Sequence, residues 1–159
     1  MTPVVPNLAL DDRRNLGVLD YLSNLNAKHL PPCVSPDAVK DPYISLGSHP
    51  DIVQRLWDTL AASLPHETRC IVFGTPALVV PRSGLVLAIG FGTQYGLRVP
   101  LDAVNAAVAA GAKTFMKWSV GPSTDIQQLF GADWVFGWWL KEETEWCRRV
   151  FDSAEGAGG

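Results

Sequence analysis

The stretch "LAIGFGTQYGLRVP", Leu87 to Pro100, decides the fold. Gly90, Gly92 and Gly96 lie between two apolar runs. A phosphate-cradling loop would lead from a strand directly into a helix, whose first amides meet the anion. Here the glycines lead into the strand-like "LRVP". No Lys-Ser or Lys-Thr follows, and the spacing is not G-x-G-x-x-G. The stretch therefore predicts a β-hairpin. With the bend centred on Thr93, Phe91 opposes Tyr95, Ile89 opposes Leu97 and Leu87 opposes Val99, so the bulky apolar groups share one face. A bend of Gly92 and Thr93 alone would set Leu87 against Arg98 and Phe91 against Gln94. That mixes polar with apolar on each face, which a half-buried sheet resists. The centred register puts Gly90 beside Gly96, a bare track where a helix, a ligand or a partner backbone can approach, with Arg98 at its edge.

Around the hairpin the chain divides into short strands and helices. "CIVFG" (70–74) and "ALVV" (77–80) are β-branched runs, and "PRSG" (81–84) between them and the hairpin has turn chemistry. "KTFMKWSV" (113–120) alternates well enough for another strand, and "DWVFGWWL" (133–140) reads either way. Helices are expected from Leu16, Val18, Leu19, Leu22 and Leu25, with Asn7 as a possible cap, and over 48–64, 102–110 and 140–152. In the second, Ser48 and Asp51 have capping-box spacing and Pro50 falls in the first turn. "PSTDIQQLFG" predicts a short helix capped by Ser123. Short strands joined by tight turns favour antiparallel pairing. The expectation is an α+β fold: a mainly antiparallel sheet of about five strands covered on one side by helices, with an N-terminal helical arm. Residues 1–42 would hold that helix and a Pro-rich connection, 43–153 the α+β domain, and 154–159 a flexible tail.

Composition narrows the function classes. The chain has 159 residues, 47% hydrophobic and 18% charged, with net charge −3. Those values suit a globular domain able to fold without disulfides. The 13 basic residues form no stripe, so nucleic acid is not expected as a partner. No uncharged apolar run reaches membrane-span length and no signal peptide opens the chain, so no membrane partner is expected either. Cys33, Cys70 and Cys147 are odd in number and far apart, which points to free thiols and a cytoplasmic location.

Candidate chemistry is sparse. His66 lies four residues before Cys70, but Pro65 ends the helix that such ligand spacing requires, and "HLPPC" (29–33) is broken by prolines. No metal and no cofactor is expected. Ser83 lacks the G-x-S-x-G elbow, and Cys70 and Cys147 sit in apolar company as inert thiols. Glu142, Glu143 and Glu145 read as the solvated start of a helix. No catalytic residue is assigned.

Tryptophan stands out. Trp118, Trp134, Trp138, Trp139 and Trp146 crowd the C-terminal third. The adjacent Trp138 and Trp139 cannot both face the same way, and tryptophan is enriched at binding hot spots. "SLGSHPDIVQRLW" (45–57), "GTPALVVPRSGLVLAIGFGTQYGLRVP" (74–100) and "DWVFGWWLKEETEWC" (133–147) resemble a family of small bacterial single-domain proteins of unassigned activity. The resemblance covers roughly Tyr43 to Asp152. It implies a binding role of the kind immunity or antitoxin proteins play beside a toxin, and it carries no residue roles.

The expected function is thus a non-enzymatic, cytosolic protein-binding module, plausibly an inhibitor of a toxin. Trp134, Trp138 and Trp139 would make the contact, with Asp133, Arg98 and Tyr95 around them. The alternative is a small-ligand protein or enzyme using the Gly90/Gly96 track with Tyr95 and Arg98. No oligomeric state is assigned.

Overall fold

The computed structural model of the chain describes residues 8–25, 32–45, 49–91, 94–117, 123–125, 127, 130–136 and 142–158. Helix α1 (Arg13–Leu25) precedes a 3-10 turn (Pro36–Ala38), a short α2 (Pro42–Ser45) and α3 (Pro50–Gln54), which continues as a π-helix through Arg55–Leu60. Then come β1 (Arg69–Val72), β2 (Thr75–Val79), β3 (Val86–Phe91) and β4 (Gln94–Arg98). A 3-10 turn (Leu101–Ala103), α4 (Val104–Ala109), β5 (Phe115–Lys117), β6 (Ser123–Asp125), β7 (Trp134–Phe136) and α5 (Glu143–Gly158) complete the order.

The main sheet runs β1-β2-β3-β4-β7, antiparallel at every pairing. This is the α+β architecture expected, with the five strands. Phe73 (φ 47°) and Gly74 (φ 81°) make the two-residue turn between β1 and β2, with the positive φ at both positions that a right-twisted hairpin requires. The ambiguous 133–140 stretch supplies the fifth strand, β7. Ser123–Asp125, expected to open a helix, instead pair with Phe115–Lys117 as a separate two-stranded sheet. Among the described residues no helix is long and apolar enough to cross a membrane.

β3 and β4 form the expected hairpin pair, but in the other register. Ala88 opposes Leu97, Ile89 opposes Gly96, Gly90 opposes Tyr95 and Phe91 opposes Gln94. Gly90 and Gly96 are therefore not abreast, and the bare track does not exist. The physical reason is that both faces of the sheet are buried. One face packs against α3, its π-helical continuation and α5 through residues such as Leu56, Leu60, Leu87, Leu97, Trp146 and Phe151. The other packs against α1 and the 130s through Val18, Leu22, Val86, Ile89, Phe130 and Trp134. A sheet covered on both sides gains nothing from gathering its bulk on one. The helical cover is thus two-sided, and α1 forms the second layer. A bulge adjusts the faces further: Leu78 pairs with Ala88 but Val79 with Val86, so Leu87 is an extra residue in β3.

Several local details differ from expectation for identifiable reasons. Asp12 caps α1, its Oδ1 accepting from the Arg14 amide at 2.9 Å. His49 caps α3, with Nδ1 accepting from the Asp51 amide at 3.1 Å, and Pro50 holds the first helical position as expected. Ser48 lies outside the described residues. The buried set Ile52, Val53, Leu56, Trp57, Leu60 and Ala61 repeats every four residues. An α-helix would let that stripe drift by roughly 40° per repeat. The wider π-turn, with Ala61 N donating to Leu56 O at 3.2 Å, counters the drift. α5 runs to Gly158, past the expected start of a tail at 154.

Candidate functional site

β4 ends at Arg98, whose side chain projects to the α1 face of the sheet and is 3% exposed. The β3–β4 ladder stops at Ala88↔Leu97, so β4 offers no backbone donor to Val86. Arg98 Nε donates to the Val86 carbonyl instead, at 2.9 Å. Its Nη1 donates to Asp133 Oδ2 at 3.0 Å and its Nη2 to the Arg14 carbonyl at 3.0 Å. The guanidinium also lies over the Trp134 ring, 5.0 Å from the centroid. Burial pushes the pKa of Arg98 down, and the charge of Asp133 opposes that. A guanidinium keeps its charge under such a shift.

Beside Arg98 the chain passes through Val99 and Pro100 towards α4 and leaves a cleft of about 710 Å³. The start of α1 bounds it on one side and the middle turns of α5 on the other. Leu85, Val99, Leu101, Val150 and Ala154 supply apolar lining, and Leu101 is 69% exposed at the mouth. The charged lining is balanced, with Arg14, Arg98 and Arg149 against Asp102, Asp133 and Asp152. Each cation already holds an anion. Arg14 grips Asp12 through two bonds, at 2.7 and 3.1 Å, which hold the Asp12 carboxyl below its ordinary value and raise Arg14. Arg149 Nη2 meets Asp102 at 3.2 Å, with both side chains well exposed. Exposed pairs of that kind contribute little to stability and exchange partners readily.

Arg98 and Asp133 meet at the cleft. Trp134 and Tyr95 do not line it. Trp134 is fully buried, edge-on to Phe130 at 5.2 Å, because β7 turns it into the α1-side core. Tyr95 is buried on the opposite face, where alternation along β4 places it, and its hydroxyl donates to Glu143 Oε1 at 2.8 Å. Trp138 and Trp139, like Trp118, lie outside the described residues. Trp57 and Trp146 are core.

Glu143 corrects the reading of a solvated acidic helix start: it is 1% exposed, and Arg55 Nη2 reaches its Oε1 at 3.4 Å. Glu142 and Glu145 are exposed. Burial, with the charge of Glu143 second, pushes the Cys147 thiol up to about 12. This buried cluster joins the π-helix, β4 and α5 from within. The cleft residues that the sequence did not reveal are Arg14, Leu101, Asp102 and Arg149. Asp102 and Arg149 are distant in sequence, and neither carries a local signal beyond a helix-end charge.

No protein-family model matches this chain, and no curated protein and no solved structure does either, so the cleft is read from this chain's own residues.

Proposed function

We propose that the protein is a binding module that receives a segment of a partner protein in the cleft beside Arg98. The supporting observation is the lining: three arginines and three aspartates, of zero net charge together, around an apolar wall that ends in the exposed Leu101. A cleft whose cations are all matched does not select a strong polyanion. It suits a peptide segment that carries both signs of charge and an apolar anchor, with the Arg149–Asp102 pair opening to exchange partners. The role of an immunity- or antitoxin-type inhibitor, acting in the cytoplasm against a toxin, is the form of this reading that the resemblance to small bacterial single-domain proteins of unassigned activity implies. Three free cysteines accord with a reducing compartment.

A second reading has the cleft take a small molecule. Its volume falls within the range of roughly 300–1,000 Å³ typical of such sites. Only three of the five N–H groups of Arg98 are engaged by the bonds to Val86, Asp133 and Arg14.

Selection of a displayed random-peptide library on the full chain tests the first reading. Enriched peptides are expected to carry mixed charge with an apolar anchor, and to lose at least about tenfold in affinity for Leu101→Asp and Arg149→Glu. Ile44→Asp, at an exposed position that does not line the cleft, should leave binding unchanged. Enriched peptides that bind all three variants equally would place recognition elsewhere. Failure of peptides to enrich, with a thermal shift from small zwitterionic compounds, would favour the second reading.

A further inference from the structure

Cys33 and Cys70 are far apart in sequence but adjacent in the fold. Val34 forms a bridge to Ile71 at the free edge of β1, with Val34 N donating to Ile71 O at 2.9 Å and Ile71 N to Val34 O at 2.8 Å. Phe73 N also donates to Pro32 O at 3.3 Å. The segment 32–35 thus lies antiparallel along β1, and Cys33 shares the α1-side face with Cys70 and Val72. Diagonal neighbours across such a pair lie about 7–8 Å apart, with their Cβ atoms somewhat closer. Cys33 packs against the cluster that holds Cys70, and each thiol shifts the other's pKa, Cys33 down and Cys70 up. Cys70 is fully buried, whereas Cys33 is partly open to solvent.

We infer that Cys33 and Cys70 form a peroxide-responsive thiol pair that locks the segment 32–35 onto the edge of β1. The two positions divide the chemistry. Cys33 is the thiol open to solvent, and the neighbouring Cys70 lowers its pKa, while burial pushes Cys70 well up. Cys33 is therefore the sulfur that meets the oxidant. Its thiolate attacks one oxygen of hydrogen peroxide, the O–O bond breaks, and hydroxide leaves to take up a proton as water. Cys33 is then a sulfenic acid, oxidised by two electrons. Cys70 sulfur attacks the sulfenic sulfur, the S–S bond forms, and the S–O bond breaks. The departing hydroxide takes the Cys70 proton. The net reaction is two thiols and one peroxide to one disulfide and two waters, and a thiol reductant reverses it.

β1 is an outer strand of the sheet, and Val34 and Pro32 occupy its free edge. Unprotected edges pair with other chains. In the reduced protein the cover rests on a few backbone hydrogen bonds, and in the oxidised protein it is covalent. Cys147 acts as an internal control: it is buried, and its thiol is pushed up to about 12.

The test treats the folded full chain with hydrogen peroxide near neutral pH, then alkylates it in denaturant and maps the peptides. Labelling should fall from three thiols to one, the intact mass should fall by two hydrogens, and a 33–70 cross-linked peptide should appear with Cys147 still alkylated. The thermal midpoint should rise, and a thiol reductant should restore all three sites. In Cys70→Ser, a sulfenic acid at Cys33 should become trappable by a dione reagent. Should that variant fail to fold, the wild-type peptide map alone decides. Three labelled thiols after peroxide, a disulfide joining two molecules, or over-oxidation of Cys33 without a 33–70 link each overturn the inference.

Discussion

Asn15 and Arg98 satisfy the two backbone polar groups of one residue, Val86. Asn15 Oδ1 accepts from the Val86 amide at 2.9 Å, and Arg98 Nε donates to the Val86 carbonyl at 2.9 Å. Val86 sits beyond the end of the β3–β4 ladder, where β4 offers it no backbone partner. A buried backbone group left without a partner would cost about 1–3 kcal/mol. The two side chains remove that cost and tie α1, β3 and β4 together beside the cleft.

Asn15 is fully buried, and its Nδ2 also donates to Ala9 O at 3.0 Å and Gly84 O at 2.8 Å. Asn15→Leu keeps the branched four-atom shape of the side chain and deletes all three bonds. The expected loss is about 3 kcal/mol of unfolding free energy, read from the urea midpoint. A loss under about 0.5 kcal/mol would show that the staple is dispensable.

Arg98→Lys keeps the charge but not the fork. One ammonium cannot reach the Val86 carbonyl, the Arg14 carbonyl and Asp133 together. Stability should fall by about 2 kcal/mol, and cleft binding should weaken with it, since Asp133 loses its clamp. Unchanged stability and binding would contradict the assignment.

The buried tryptophans Trp57 and Trp134 differ at one atom. Trp57 Nε1 donates to the Ala77 carbonyl at 3.1 Å, whereas Trp134 Nε1 is buried with no hydrogen-bond partner among the described residues. Replacing Trp57 by Phe should therefore cost about 1 kcal/mol more than replacing Trp134 by Phe, in paired denaturation curves. Equal costs, or the reverse order, would argue against this reading of Trp134.

Two tyrosines are held neutral by the fold above their ordinary range. Burial pushes Tyr21 up to about 12, and burial followed by the hydrogen bond to Asp58 pushes Tyr43 up to about 12. Both shifts raise the folded-state value above the ordinary 10, so the fold favours the neutral phenols. Their stabilisation is full below pH 10 and is lost as pH rises through about 12. Phenolate absorbance should report two groups titrating late in the folded chain and near 10 once urea unfolds it. Early titration of both in the folded protein would refute the shifts.

The fold was legible where local chemistry and tertiary packing agree. The glycines between "LAI" and "LRVP" announced a hairpin, and the short punctuated runs from Arg69 to Val99 announced an antiparallel sheet. The register was not legible, because alternation selects a register only when one face is wet, and here Leu97 and Ile89 serve different cores. The Arg98–Asp133 pair joins residues 35 apart and has no local sign, and neither does the burial of Tyr95 and Trp134, since tryptophan and tyrosine serve cores and interfaces alike. The Asp102–Arg149 pair spans 47 residues and forms only through the packing of α5. The buried Glu143 hid among the acidic residues of a helix start, where the macrodipole alone would have accounted for it.

Hydrogen exchange on the chain with and without an enriched peptide addresses the cleft most directly. If the cleft receives the segment, amides of 98–103 and of 149–154 should slow together on binding, while those of α2 stay as they were. Slowing confined to other surfaces, with 98–103 and 149–154 unchanged, would contradict recognition at Arg98.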